Sequence, residues 1–231
     1  MIPLPKRFVK EIYDAKAPSM ISAGIYYSCN ELNMRNGKAM IIGPEGTPYA
    51  DCPLVFDIDY PADYPFSSPA VRFITSDGTT RFHPNLYVTG KVCLSILGTW
   101  EGPKWSAAMT ISTVLSSIQS ILEANPVANE PSWETITLKN IRAKDYADFV
   151  AYRLIALTFR DLREWKRGSI PEHWIEFKDV LEERGNELYK RICETILKMS
   201  ENDEIEYKNI VYQMSGKTEW KRMAAEVRRD M

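Results

Sequence analysis

The chain has 231 residues, 45% of them hydrophobic and 11% aromatic, enough for one good-sized domain plus an extension or for two small domains. Its 29 basic and 31 acidic residues leave a formal net charge of -2, which argues against a nucleic-acid partner. Four scattered cysteines with no CxxC pair and only two histidines make a structural zinc site hard to assemble, so no metal or cofactor is expected. Such cysteines suggest free thiols in a reducing compartment. Without a signal-type apolar run at the start, or a stretch near the roughly 20 apolar residues that span a bilayer, the expectation is a soluble protein of the cytoplasm or nucleus.

In chain order, residues 5–16 read as a helix with Phe8, Ile12 and Ala15 on one face and Lys6, Arg7, Lys10 and Glu11 on the other, ended by Pro18. From Met20 to Ile42 two β-like runs flank Asn36-Gly37, which predicts a hairpin turn there. A Gly/Pro-rich turn over 43–48 leads to a strand of alternating apolar residues from Leu54 to Tyr60. After a Pro-rich corner, residues 70–74 give a fourth strand. Residues 76–107 read as loop, and a loop of that length inside a domain is more often functional than idle. A helix over 108–123 carries Ile111, Leu115, Ile118 and Leu122, after which Pro126 and Pro131 break the chain. Beyond it the chain reads as all-helical, with one helix within 141–166, a second bearing Trp174, Phe177, Leu181, Leu188 and Ile192, and a mixed, charged end over 201–231. Strands followed by helices predict an α+β fold, divided into a core over 1–150 and a helical extension over 151–231.

Three ordered blocks stand out. They are Gly43-Pro44 with Thr47-Pro48-Tyr49, then Tyr60-Pro61-x-Asp63-Tyr64-Pro65-Phe66-x-x-Pro69, then His83-Pro84-Asn85-Leu86-Tyr87-x-x-Gly90-Lys91-Val92-Cys93-Leu94-Ser95 with Trp105 further on. Together they resemble the ubiquitin-conjugating enzyme family over residues 1–131, with Cys93 eight positions after Asn85. The run Gly90–Ser106, the Asn125-Pro126-x-x-Asn129-Glu130-Pro131 block and the helical extension are similar to the large ubiquitin-conjugating enzyme Z subgroup.

The resemblance implies the ubiquitin-conjugating fold: an N-terminal helix, a four-stranded antiparallel meander, an active-site loop and helices. It implies that Cys93 accepts ubiquitin, or a ubiquitin-like protein, from the activating enzyme and passes it to a lysine or to a ligase cysteine. Thiolate chemistry suits that exchange, and no histidine or carboxylate lies near Cys93 at a spacing that suggests a dedicated base. The bland alternative for Cys93 is a small buried hydrophobe, which is the reading taken for Cys29, Cys52 and Cys193. Asn85 is implied to stabilise the oxyanion and hold the loop, or only to close a turn. His83 and Pro84 are implied to support that loop rather than to react. Either Glu130 or Asn129 would sit at the mouth of the site and orient or desolvate the incoming lysine, the equal alternative for Glu130 being a solvated surface charge.

Partner surfaces follow the same likeness. Lys6, Arg7 and Lys10 would face the activating enzyme; Phe66 with Trp105, Ser106 and Ala107 would meet ligases. Trp100, in the Gly98–Lys104 insertion, is expected to pack against the core. Two rival functions remain on the sequence. One is a catalytically inactive binding module, although such variants usually lack the cysteine. The other is a thiol hydrolase pairing Cys93 with His83, for which no orienting third group is evident.

Overall fold

The structure, a computed structural model, describes residues 6–30 and 32–231; Met1–Pro5, which include the expected first residue of the opening helix, and Glu31 lie outside the described residues. Helix α1 (Lys6–Asp14) buries Phe8 and Ile12 as its pattern requires. The Phe8 ring meets Tyr60 and Tyr64 edge-on, with centroids 4.7 and 5.4 Å away. Glu11, expected on the polar face, is buried as well, because Tyr64 Oη donates to its Oε2 and Arg7 Nε donates to its Oε1 at 2.7 Å. Pro18 does more than end this helix. It opens a second one, α2 (Pro18–Ser22), at a position where the missing N–H is tolerated.

Strands β1 (Ile25–Cys29), β2 (Asn36–Ile42), β3 (Pro53–Asp59) and β4 (Ala70–Phe73) pair antiparallel in chain order. The register stacks Tyr27 on Ala39, Ala39 on Phe56 and Phe56 on Phe73. The expected turn at Asn36-Gly37 is not where the chain reverses. Those residues begin β2, Gly37 opposite Cys29, and the reversal lies before them, where Asn30 Oδ1 accepts from Leu32 N at 2.8 Å and Asn33 N at 3.1 Å. Glycine is needed at 37 for packing: a Cβ there would stand 2.3 Å from the Tyr27 hydroxyl. That hydroxyl is held by Tyr60 Oη at 3.0 Å.

Helix α3 (Ile111–Ile121) starts at a capping box in which Thr110 and Thr113 satisfy each other's backbone, and it buries Ile111, Val114, Leu115 and Ile118. Helix α4 (Ile141–Lys166) then runs unbroken through residue 150. A short 3-10 turn (Glu172–Phe177) leads into α5 (Lys178–Met199), and α6 (Trp220–Asp230) closes the chain. Between α5 and α6 a two-stranded hairpin, β5 (Glu206–Tyr207) with β6 (Gly216–Lys217), interrupts the helices.

The later helices are fastened to the sheet. Trp174 is 1% exposed. Arg184 Nη1 donates to Tyr26 Oη at 2.8 Å, and Arg191 Nη1 reaches Glu45 and Asp51 at 3.1 Å each. Among the described residues no helix is long and apolar enough to cross a membrane. Emptying the Trp174 site should therefore weaken the whole molecule: Trp174→Ala is expected to lose about 3–5 kcal/mol in urea unfolding monitored by circular dichroism.

Candidate thiol site and its supporting loop

The loop after β4 is built from its own backbone. Leu86 N donates to His83 O at 2.9 Å, closing the tight turn over His83-Pro84-Asn85. Leu86 also bridges to Val92, and Arg72 in β4 bridges to Lys91, so the loop is clipped to the sheet. Gly90 makes that approach possible: its φ is +88°, Phe73 N donates to its carbonyl at 2.8 Å, and a Cβ would stand 2.8 Å from the Arg72 side chain.

Asn85 and Cys93 are then joined twice. Cys93 N donates to Asn85 O at 2.9 Å, and Asn85 Nδ2 donates to Cys93 O at 2.7 Å. Asn85 Oδ1 is buried with no protein partner. An amide nitrogen carries two hydrogens, so one N–H of Asn85 remains for a second acceptor beside Cys93. Cys93 itself is 1% exposed. Burial alone does not mark it out, since Cys52 is buried too and burial pushes that thiol up to about 12. What differs is the setting: Cys93 sits on a loop whose flanking peptides are tied down one by one.

Thr99 completes that embedding, and the sequence reading missed it. Its Oγ1 accepts from Leu94 N at 2.9 Å and donates to Val92 O at 2.7 Å, so one hydroxyl holds the residues on both sides of Cys93. A short 3-10 turn (Ser95–Leu97) and the left-handed Gly98 return the chain to that point. The available signal was this spacing, a threonine six residues after the cysteine and just past a glycine. The insertion that follows is mostly exposed, and Trp100, expected to pack inward, is 45% exposed. Thr99 turns inward in its place, because its hydroxyl satisfies two peptide groups while the indole meets no such demand.

His83 is fully buried with its Nδ1 spent as acceptor for Asn85 N at 2.9 Å. Burial disfavours the imidazolium and pushes His83 down to about 3, although the Ile121 backbone acts in the opposite direction. A nitrogen so occupied and so weakly basic is a poor proton acceptor for a thiol. Arg81, just before it, is a second residue the sequence reading passed over. Its guanidinium lies 3.8 Å from the Tyr87 ring centroid and 4.0 Å from that of Tyr212, and its Nη2 donates to Pro84 O.

The remaining expected residues fall into separate groups. Asn129 Nδ2 donates to Glu123 Oε1 at 2.6 Å, whereas Glu130 Oε2 accepts from Tyr212 Oη. Phe66 is 80% exposed, and Trp105 Nε1 donates to Pro65 O at 2.7 Å with Ser106 exposed and Ala107 half-buried beside it. On α1, Lys6 and Lys10 are exposed, Lys10 pairing with Asp14 at 2.6 Å, and Arg7 also donates to Met109 O at 3.2 Å. No group of three metal-ligating side chains is gathered among the described residues.

An α+β core that presents a cysteine on a hydrogen-bonded loop, with the neighbouring histidine locked to the backbone, is not the arrangement of a hydrolytic Cys–His pair. The ubiquitin-conjugating enzyme family model matches residues 7–151, and the chain belongs to that family. It is similar to ubiquitin-conjugating enzyme E2 Z of Homo sapiens, 37% identical over 185 residues that make up 77% of this chain and 51% of that protein. Probable ubiquitin-conjugating enzyme protein 17 of Caenorhabditis elegans is 45% identical over 56% of this chain and 19% of its own. The E2 domain of a Toxoplasma gondii ubiquitin conjugating enzyme, a solved structure, is 31% identical, covers 64% of this chain and 95% of its own, and superposes with a TM-score of 0.48. The chain spans about half the length of the mammalian E2 Z relatives it matches.

Two predictions test the loop. Between the ordinary value of 6.5 and about 3, the unfolded chain takes up a proton at His83 that the folded chain refuses. His83 thus withdraws stability as pH falls below 6.5, by about 1.4 kcal/mol per pH unit. The difference in unfolding free energy between about pH 7.5 and pH 5.5 should shrink in His83→Gln, measured by urea denaturation of both proteins. Thr99→Val keeps the shape but strands Leu94 N and Val92 O; a loss of about 1–3 kcal/mol in the same assay is expected.

Proposed function

We propose that this chain carries ubiquitin, or a ubiquitin-like protein, as a thioester on Cys93 and transfers it to a lysine or to a ligase cysteine. The observation that carries this reading is the double hydrogen bond between Asn85 and Cys93 within a member of the ubiquitin-conjugating enzyme family. The Cys93 sulfur attacks the activated carboxyl-terminal carbonyl, delivered by the activating enzyme, and displaces the activating enzyme's thiol. In the second step a lysine ammonium loses a proton, its Nζ attacks the thioester carbonyl, and an amide bond forms as the C–S bond breaks. The Cys93 sulfur leaves as thiolate and the second amine proton goes to solvent. Asn85 Nδ2, already beside Cys93, is the donor for the oxyanion between those states.

His83 and Pro84 support the loop, and Glu130, with Asn129 next to it, attends the acceptor. Because Cys93 is only 1% exposed, charging requires a local opening around it. The activating enzyme docks on Lys6, Arg7 and Lys10 of α1; a ligase docks on Phe66 with Trp105, Ser106 and Ala107. Residues 1–150 act as the conjugating core and 151–231 as its helical extension. Four free cysteines support a cytoplasmic or nuclear setting.

Incubation with activating enzyme, ubiquitin and ATP should give a ubiquitin-sized, thiol-sensitive adduct on non-reducing gels with the wild type and none with Cys93→Ala. Absence of the adduct with ubiquitin and every ubiquitin-like protein tried would remove the carrier reading. Asn85→Ala should still charge yet discharge to free lysine about 100-fold more slowly, read from single-turnover chases.

A further inference from the structure

The end of the chain returns to the beginning of the site. Between β5 and β6 the residues Asn209, Tyr212 and Gln213 have φ of 49°, 59° and 58°, a left-handed conformation unusual outside glycine and costly for an aromatic residue. Three such residues within one short loop persist only where contacts over-determine them. Some of those contacts lie within the loop, where Ser215 Oγ accepts from Asn209 N and Met214 O accepts from Ile210 N at 2.9 Å each, and others reach the core. The Tyr212 ring meets Tyr146 edge-on with centroids 5.7 Å apart and covers the Arg81 guanidinium at 4.0 Å. Met214 Sδ accepts from Arg81 N at 3.3 Å, and Tyr146 Oη donates to Arg81 O at 2.8 Å. Arg81 Nε is buried without an acceptor, so the guanidinium depends on the two tyrosine faces and on Pro84 O for its place.

Tyr212 Oη donates to Glu130 Oε2. Among the described residues no group bonds Glu130 Oε1. A single side chain from the far end of the chain thus covers Arg81, which donates to Pro84 O in the His83–Asn85 turn, and also bonds Glu130, the carboxylate read above as attending the acceptor.

We propose that Tyr212 is a positioning residue for the acceptor: its hydroxyl anchors one oxygen of Glu130 and leaves the other aimed at the incoming lysine Nζ. This rests on the carrier reading above and deepens it. The C-terminal extension is then part of the transfer site, although it adds nothing that forms the thioester. With Oε2 anchored, Oε1 accepts from the lysine ammonium, orients it, and keeps the amine in line as it loses its proton and attacks the thioester. Freed from Tyr212, the Glu130 side chain samples other rotamers and the alignment is lost.

The test separates charging from discharge. Tyr212→Phe keeps the ring over Arg81 and removes only the hydroxyl. It should charge with ubiquitin like the wild type and discharge to free lysine about tenfold more slowly, while discharge to free cysteine, whose thiol needs no such carboxylate, is unchanged. Glu130→Gln should slow lysine discharge similarly, and adding Tyr212→Phe to it should cause no further loss. Wild-type lysine discharge in Tyr212→Phe, or equal slowing toward lysine and cysteine, would overturn this inference alone. Failure of the wild type to charge at all would overturn the carrier reading and this inference with it.

Discussion

Everything around Cys93 depends on one residue closing a ring with it. Asn85 offers its backbone carbonyl to Cys93 N at 2.9 Å and its side-chain amide to Cys93 O at 2.7 Å. Fixing both peptide groups of one residue from a single partner leaves that residue little backbone freedom. The ring works only if the turn before it is fixed, and His83 does that by spending Nδ1 on Asn85 N. Its low basicity is a consequence of that placement: a buried imidazole that must accept a backbone hydrogen bond cannot also hold a proton there. On the other side Thr99 does for Val92 and Leu94 what Asn85 does for Cys93.

The long central loop stays ordered for a second reason, which is that later helices hold it. Arg153 on α4 donates to Asp77 Oδ2 at 2.8 Å, and although burial alone would raise the Asp77 carboxyl, hydrogen bonds from Thr80, Thr79 and Arg153 bring it to about 2. Tyr146, also on α4, reaches Arg81 O, and the hairpin supplies Tyr212. An isolated loop of more than thirty residues would pay a large ordering entropy; here the packing of α4 and the hairpin meets it.

Much of this was legible in the sequence, and the failures have physical reasons. The four strands, α3 and α4 follow from periodicities set within each segment, and the His83-Pro84-Asn85 turn and Cys93 sit at a fixed local spacing. Asn36-Gly37 misled because its usual meaning is conformational, whereas Gly37 answers a steric demand from Tyr27 on the neighbouring strand. Glu11 looked like a solvated charge because its partner Tyr64 lies 53 positions away. Tyr212 and Glu130 are separated by 82 positions, and no composition or pattern within either segment announces their pairing. Contacts between distant segments are visible only once both segments are placed. Tyr212 was hidden further by the charged, aperiodic stretch that carries it.

That division also bears on how the site could work. A thioester carrier must expose its sulfur to two large partners in turn and protect the bond from water between those events. On the proposed reading, a base beside Cys93 would defeat the second requirement, because it would activate water as readily as an amine. The geometry keeps the nearest histidine occupied and Cys93 nearly enclosed. Selectivity for an amine must then come from a group that acts only when the acceptor arrives. On the proposed reading that group is Glu130, whose carboxylate is held by a tyrosine from the extension. Because Tyr212 also covers the Arg81 guanidinium, whose Nη2 donates to Pro84 O, that carboxylate is on this reading referenced to the same turn that positions Asn85.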